Sequence, residues 1–289
     1  MPDLRNRATL DKYTVALHLS VLLFGLAGVF GKIIAQPALL IVAGRVFFAF
    51  ISLLIIRQVS VVRFQSITKA QVYLLIISGF VLVTHWFSFF YAIQESSVSA
   101  GLFMFASFPV FSLILEKIYN KNRVYLLELL SIIICIAGLL VISADIRAGE
   151  IKFVVFIWGI YSGFSFALLG MLNKHLIQKQ NVININLIQY LIAFIFLVPY
   201  LLLKVDISIS LFDISLMLLL GVVFTAMSHS LFIYSLKRIS MFNAALTACL
   251  EPVYGSIAAI ILLAEKMNLM ILIGGILIII SSFIINQRH

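Results

Sequence analysis

Stretches of about twenty residues nearly free of charge recur along the whole chain, and they constrain its fold more than any other feature. Ten run at 13–34, 38–57, 71–93, 97–118, 124–143, 153–174, 184–204, 213–236, 241–263 and 268–286. A helix of about 20 apolar residues crosses the hydrocarbon core of a bilayer. In that core each segment has to satisfy its own backbone groups unless it closes a barrel. Barrel strands alternate apolar and polar residues, and runs such as Ile132-Ile133-Ile134 or Ile276 to Ile280 do not. The fold class expected is therefore all-α integral membrane, with ten transmembrane helices. Composition agrees: 63% of the 289 residues are hydrophobic and 11% charged, against roughly 25% charged in a soluble domain. The short loops leave no room for a separate soluble domain.

The +9 net charge reads as an orientation signal, not a nucleic-acid footprint. Counted loop by loop, the side holding the N-terminus carries 14 Lys and Arg, from Arg5, Arg7 and Lys12 to Arg288, while the other side carries 5. This bias predicts cytoplasmic N- and C-termini and a multi-pass protein of the inner (plasma) membrane. Residues 1–12 read as an N-terminal tail, and the first run reads as a retained helix, not a signal peptide. Cys135 and Cys249 lie inside apolar runs and read as small core residues. No Gly-x-x-x-x-Gly-Lys-Ser/Thr loop occurs, and no metal-ligand spacing of His or Cys, so neither cofactor nor metal is expected.

Sliding the chain by 143 positions pairs Tyr91 with Tyr234, Ser97 with Ser240, Pro109 with Pro252 and Val110 with Val253. The same offset sets Ser131 and Gly138 against Gly274 and Ser281, and an offset of 142 sets Gly28 and Lys32 against Gly170 and Lys174. The halves are 13–143 and 153–286, each with five spans. Five is odd, so the second half enters the membrane from the opposite side. Such inverted repeats give two arrangements around a midplane site, one open to each side.

The tract Leu250-Glu251-Pro252-Val253-Tyr254 running to Ala264-Glu265-Lys266, then Gly274, resembles the late-half signature of the EamA-type transporters of the drug/metabolite transporter (DMT) superfamily. Phe24-Gly25 with Phe30 and Lys32, Arg45-Val46-Phe47, and Ser97-Val98-Ser99-Ala100 before Phe108-Pro109 resemble the matching first-half signature. One departure is Asn122, which stands where the first-half counterpart of Glu265 falls. The resemblance implies ten helices, cytoplasmic termini and efflux of small metabolites or amino acids, with helices 3 and 8 lining a central cavity.

Charge inside a membrane costs roughly 2.5–3.5 kcal/mol at a helix centre, so each instance needs a reason. Glu251 lies deepest, about 15 Å along its helix. It is the candidate proton-coupling group and a candidate for a substrate amine; capping of backbone freed by Pro252 is the structural alternative. Arg45 is placed to bind a substrate carboxylate, to pair with Glu251 or to snorkel. Glu116 and Glu128 sit near Lys117, Lys121 and Arg123, where ion pairing is expected. His85 and His229 are further candidate substrate contacts, His229 standing opposite Trp86 in the repeat, whereas His18 is not. Trp86 and Tyr91 in the third span, with Trp158 and Tyr161 three apart in the sixth, are the candidate aromatic wall.

These features predict a secondary transporter with a small-molecule substrate, an amino acid or similar amphipathic compound, moved outward by alternating access. The expected partner is the lipid bilayer, with no nucleic acid and no obligatory oligomer. Import or exchange on the same fold is the alternative, with an intramembrane enzyme or a non-transporting sensor more remote.

Overall fold

The computed structural model describes residues 4–59, 66–121, 123–144, 149, 151–203 and 208–286. Asn122, Arg63, Arg147, Lys204 and Arg288 lie outside them, as do the side chains of Arg5 and Arg7. The first half contains α1 (Leu4–Ile33), α2 (Ala38–Val59), α3 (Lys69–Glu95), α4 (Val98–Phe105), α5 (Phe108–Asn120) and α6 (Leu126–Ile142). In the second half come α7 (Phe153–Leu176), α8 (Val182–Leu203) and α9 (Leu211–Gly221), the last running through a π-helical turn, Val222–Met227, into α10 (Ser228–Ser235). Next are α11 (Met241–Ala248), α12 (Glu251–Leu263) and α13 (Leu269–Asn286). Among the described residues eight spans are long and apolar enough to cross a membrane, counting α4–α5, α9–α10 and α11–α12 as one each; α6 and α13 supply the shorter apolar segments.

One boundary and two spans differ from the sequence expectation. The first helix starts at Leu4, inside the segment read as a tail. The fourth and ninth spans, expected to be continuous, each break in the middle. Proline has no N–H and its ring collides with the carbonyl four residues back. Pro109 and Pro252 therefore start new helices, and α4 ends at Phe105 and α11 at Ala248.

The 143-residue register recurs in local geometry. Ser97 and Ser240 both accept from the backbone three residues on, capping α4 and α11. Lys121 and Ala264 both end their helices in the left-handed region, at φ 53° and 52°. The halves interleave: α6 packs along α13, α3 along α7 and α8, α1 along α10 and α12, and α2 along α8 and α9. Small residues set the closest approach, because a Cβ at Gly138 would lie 2.7 Å from the Gly274 carbonyl oxygen and one at Gly274 2.6 Å from that of Gly138. Any larger side chain there would force α6 and α13 apart.

Candidate functional site

The helix break at Cys249-Leu250 turns Glu251 into the first residue of α12, in mid-span. Span 1 comes close enough to enclose it: a Cβ at Gly25 would lie 2.8 Å from the Glu251 carbonyl oxygen, and one at Gly255 2.8 Å from the Gly25 carbonyl oxygen. Around Glu251, side chains from α1, α2, α3, α4, α7 and α10 enclose a cavity of about 20 Å³, room for about one water. It is lined by Arg45, His85, Trp86, His229 and Glu251, with Phe24, Ala27, Phe89, Phe105 and Phe166.

Arg45 is 2% exposed, so it does not snorkel. Its Nε donates to Thr225 Oγ1 at 2.8 Å and its Nη2 to the Phe224 carbonyl at 3.3 Å. The guanidinium plane lies over the Trp86 ring at 4.1 Å, where the electron-rich face attracts a cation. Both acceptors belong to the π-helical turn. A backbone ladder that changes register there presents carbonyls sideways, and the Thr225 hydroxyl itself donates to Leu220 O, five residues back, at 2.7 Å. Tyr190 closes the arrangement, its hydroxyl donating to Thr225 O at 3.5 Å.

Glu251 is 3% exposed, and its Oε2 has no hydrogen-bond partner. No ion pair within 4 Å joins it to Arg45, although both face the same cavity. His85 Nδ1 lies 3.0 Å from the Ser162 carbonyl oxygen; a carbonyl only accepts, so Nδ1 carries the proton and Nε2 is left as an acceptor. His229 meets Trp86 edge-on at 5.0 Å and Phe24 at 5.0 Å. The repeat positions Trp86 and His229 are thus in contact at the centre.

Two five-helix halves around a buried cavity that holds an arginine and a glutamate have recognisable relatives. The model of the EamA-like transporter family matches residues 12–144 and again 154–287. The chain belongs to this family. An uncharacterized transporter of Archaeoglobus fulgidus is 27% identical over 264 residues, covering 91% of this chain and 92% of its own length. The uncharacterized transporter YojE of Bacillus subtilis is 25% identical, over 86% of this chain and 84% of its own. A solved crystal structure with 14% identity superposes with a TM-score of 0.68 over 96% of this chain and 97% of that one, which shows the same fold.

Within this EamA-like chain, Glu251, Arg45, His85, Trp86 and His229 meet at the cavity, and three other sequence candidates lie elsewhere. Tyr91, Trp158 and Tyr161 belong to an aromatic seam between α3 and α7: Phe87 meets Tyr91 at a tilt with centroids 5.6 Å apart and Trp158 edge-on at 5.3 Å. The Tyr161 hydroxyl donates to Thr84 Oγ1 at 3.0 Å. Glu128 pairs with Lys117 at 2.7 Å, and His18 is exposed on α1. Thr225 and Tyr190 carry no signal in the sequence, and the facing of Phe24 and Phe166 across the cavity is not among its expectations. That facing was within reach, because the 142 offset that aligns Gly28 with Gly170 also aligns Phe24 with Phe166, whose rings stand 6.2 Å apart.

Proposed function

We propose that this EamA-like protein is a secondary transporter that carries a small zwitterion, an amino acid or a close amphipathic relative, outward across the plasma membrane by alternating access. One observation carries the reading: Arg45 and Glu251 face one buried cavity without pairing. An α-amino acid presents both complements, a carboxylate for the guanidinium and an ammonium for the carboxylate, while Phe24, Phe89, Phe105 and Phe166 take an apolar side chain. Arginine is the cation suited to this place because it stays charged and its planar fork matches a carboxylate. Its Nε and Nη2 bonds to the π-turn fix that fork.

Glu251 then serves as the coupling group. A proton on its carboxyl removes the partner of the substrate ammonium, so proton and substrate exclude each other, and an inward proton gradient drives the zwitterion out. The cavity admits about one water as it stands, which fits a closed intermediate between the two open arrangements of an inverted repeat. The cycle moves a solute and changes no bond.

The test is counterflow in proteoliposomes loaded with a mixed amino-acid pool, with single radiolabelled amino acids offered outside. Wild type accumulates label and its exchange responds to a pH gradient; Arg45→Gln and Glu251→Gln both lose uptake, because each removes one of the two charges that the zwitterion needs. Absence of exchange with every amino acid, or equal exchange of analogues lacking the ammonium, overturns the reading.

A further inference from the structure

A second cavity, of about 470 Å³, lies between α2, α8, the π-turn and α10. Its walls are apolar: Leu53 and Ile56 of α2, Val182 and Ile183 of α8, and Val223 and Met227 of the π-turn. Apart from Tyr234 at one end, two polar residues line it, and both have their hydroxyls engaged. Ser52 Oγ donates to Ala49 O at 2.8 Å, and Ser230 Oγ accepts from Asn186 Nδ2 at 2.9 Å. At about 30 Å³ per molecule this volume would take on the order of fifteen waters, each wanting two to four polar partners that such walls do not offer. An apolar chain fills it without that cost. Ile56 and Met227, 46% and 42% exposed, stand at its lip, so the opening faces sideways into hydrocarbon.

The end of the cavity nearer the chain termini is closed by Tyr234, and there the chemistry changes. Tyr234 stacks on Tyr13 with ring centroids 4.7 Å apart. Lys237 Nζ stands 5.5 Å from the Tyr234 centroid and Lys12 Nζ 5.4 Å from that of Tyr13. Arg238 lies beside the Tyr13 side chain. All three cations are exposed, and none has a carboxylate partner among the described residues. From Val222 to Tyr234 the helix rises about 18 Å, close to one leaflet of a hydrocarbon core of about 30 Å.

We infer that this cavity binds an anionic phospholipid of the leaflet on the termini side, with one acyl chain between α2, α8 and the π-turn and its headgroup phosphate at Lys12, Lys237 and Arg238. Basic clusters beside a membrane-spanning helix attract such headgroups, and the cavity adds a chain site beneath this one. The inference is independent of the substrate reading. It also has a consequence for transport, because Val223 and Met227 face the lipid chain on the turn whose Phe224 and Thr225 hold Arg45. A bound chain supports the π-turn from behind.

Native mass spectrometry of the purified full chain, titrated with phosphatidylglycerol, phosphatidylcholine of the same chains, short-chain phosphatidylglycerol and inorganic phosphate, tests this with no substrate present. Wild type retains long-chain phosphatidylglycerol over phosphatidylcholine by on the order of tenfold. The triple variant Lys12→Gln, Lys237→Gln, Arg238→Gln, whose changes are all on the surface, loses that preference. Val223→Trp, which fills the cavity, loses retention of both long-chain lipids. Equal retention of the two lipids by wild type overturns the headgroup assignment. Retention of short-chain lipid or phosphate as strongly as the long-chain lipid overturns the chain site. Amino-acid counterflow can fail with this result intact, and the reverse.

Discussion

At the end of the bundle away from the termini, the Lys32 ammonium donates to three carbonyls, those of Ile93, Gln94 and Ser96, at 2.8–3.0 Å. At the termini end its repeat counterpart Lys174 donates to two, Leu236 and Ile239, at 2.6 and 2.9 Å. The device is the same, a lysine at the end of the first helix of each half closing the end of the third. What surrounds it differs. At the far end two carboxylates finish the seal: Glu265 accepts from the Val98 and Ser99 N–H groups, and Asp213 from Ala35 N and Gln36 Nε2. At the termini end amides do the work, and several are unmatched. Asn184 is fully buried with neither side-chain polar atom bonded, and Asn186 Oδ1 and Gln180 Oε1 also lack partners. A buried polar group without a partner costs about 1–3 kcal/mol, and water restores the bond. The termini end is therefore the one that opening relieves, and the far end the one that opening strains.

The largest expected effect comes from breaking the far seal. Lys32→Met orphans three carbonyls and removes charge-assisted bonds; since Lys32 is half-buried, solvent lowers the loss to about 2–4 kcal/mol. Lys174→Met gives up two such bonds and loses less. Thermal unfolding in detergent should show the larger drop in apparent Tm for Lys32→Met, and equal drops would remove the difference between the ends. Next comes Glu265→Gln, which takes a charged acceptor from the first turn of α4, where the helix dipole favours a negative group, and costs about 1 kcal/mol. Asn184→Leu should go the other way. It replaces an unsatisfied amide by an apolar group of similar size, raising Tm by the equivalent of about 1 kcal/mol. It should also slow counterflow, because a wetted termini end no longer gains a hydrogen bond.

Much of this was legible in the chain before any coordinates. Long apolar runs permit little else in a bilayer, and the 143-residue offset announced the inverted halves. Charge in an apolar run is costly enough that Arg45 and Glu251 stood out at once, and both reach the cavity. Direction was harder to read. Aromatic density marked Tyr91, Trp158 and Tyr161 as strongly as Trp86, yet their rings turn into the α3–α7 seam, because composition does not say which way a helix face points. The breaks after Phe105 and Ala248 were hidden for another reason. Membrane helices tolerate proline, so Pro109 and Pro252 did not announce that backbone would open beside Glu251. The π-turn left no mark in the sequence beyond one threonine in an apolar run, and Arg45 is fastened to it.

The smallest effect sharpens the comparison most, because it sets one helix against its own repeat. The first N–H groups of any helix lack partners inside it. In α4 all four are covered: Val98 and Ser99 by Glu265, Ala100 by Ser97 Oγ and Gly101 by Ser97 O. In α11, at the opposite end, Ser240 covers the two equivalent positions, Asn243 and Ala244. Glu265 thus gives α4 a second cap on top of the serine that both helices share. A difference of about 1 kcal/mol is roughly fivefold in a local opening equilibrium. Hydrogen exchange should find the amides at 98–101 slower than those at 243–244 by about that factor. Glu265→Gln should bring the rates together while leaving 243–244 where they were. If 98–101 exchanges as fast as its counterpart in the wild type, the carboxylate does not seal the far end, and the two ends of the bundle are equivalent after all.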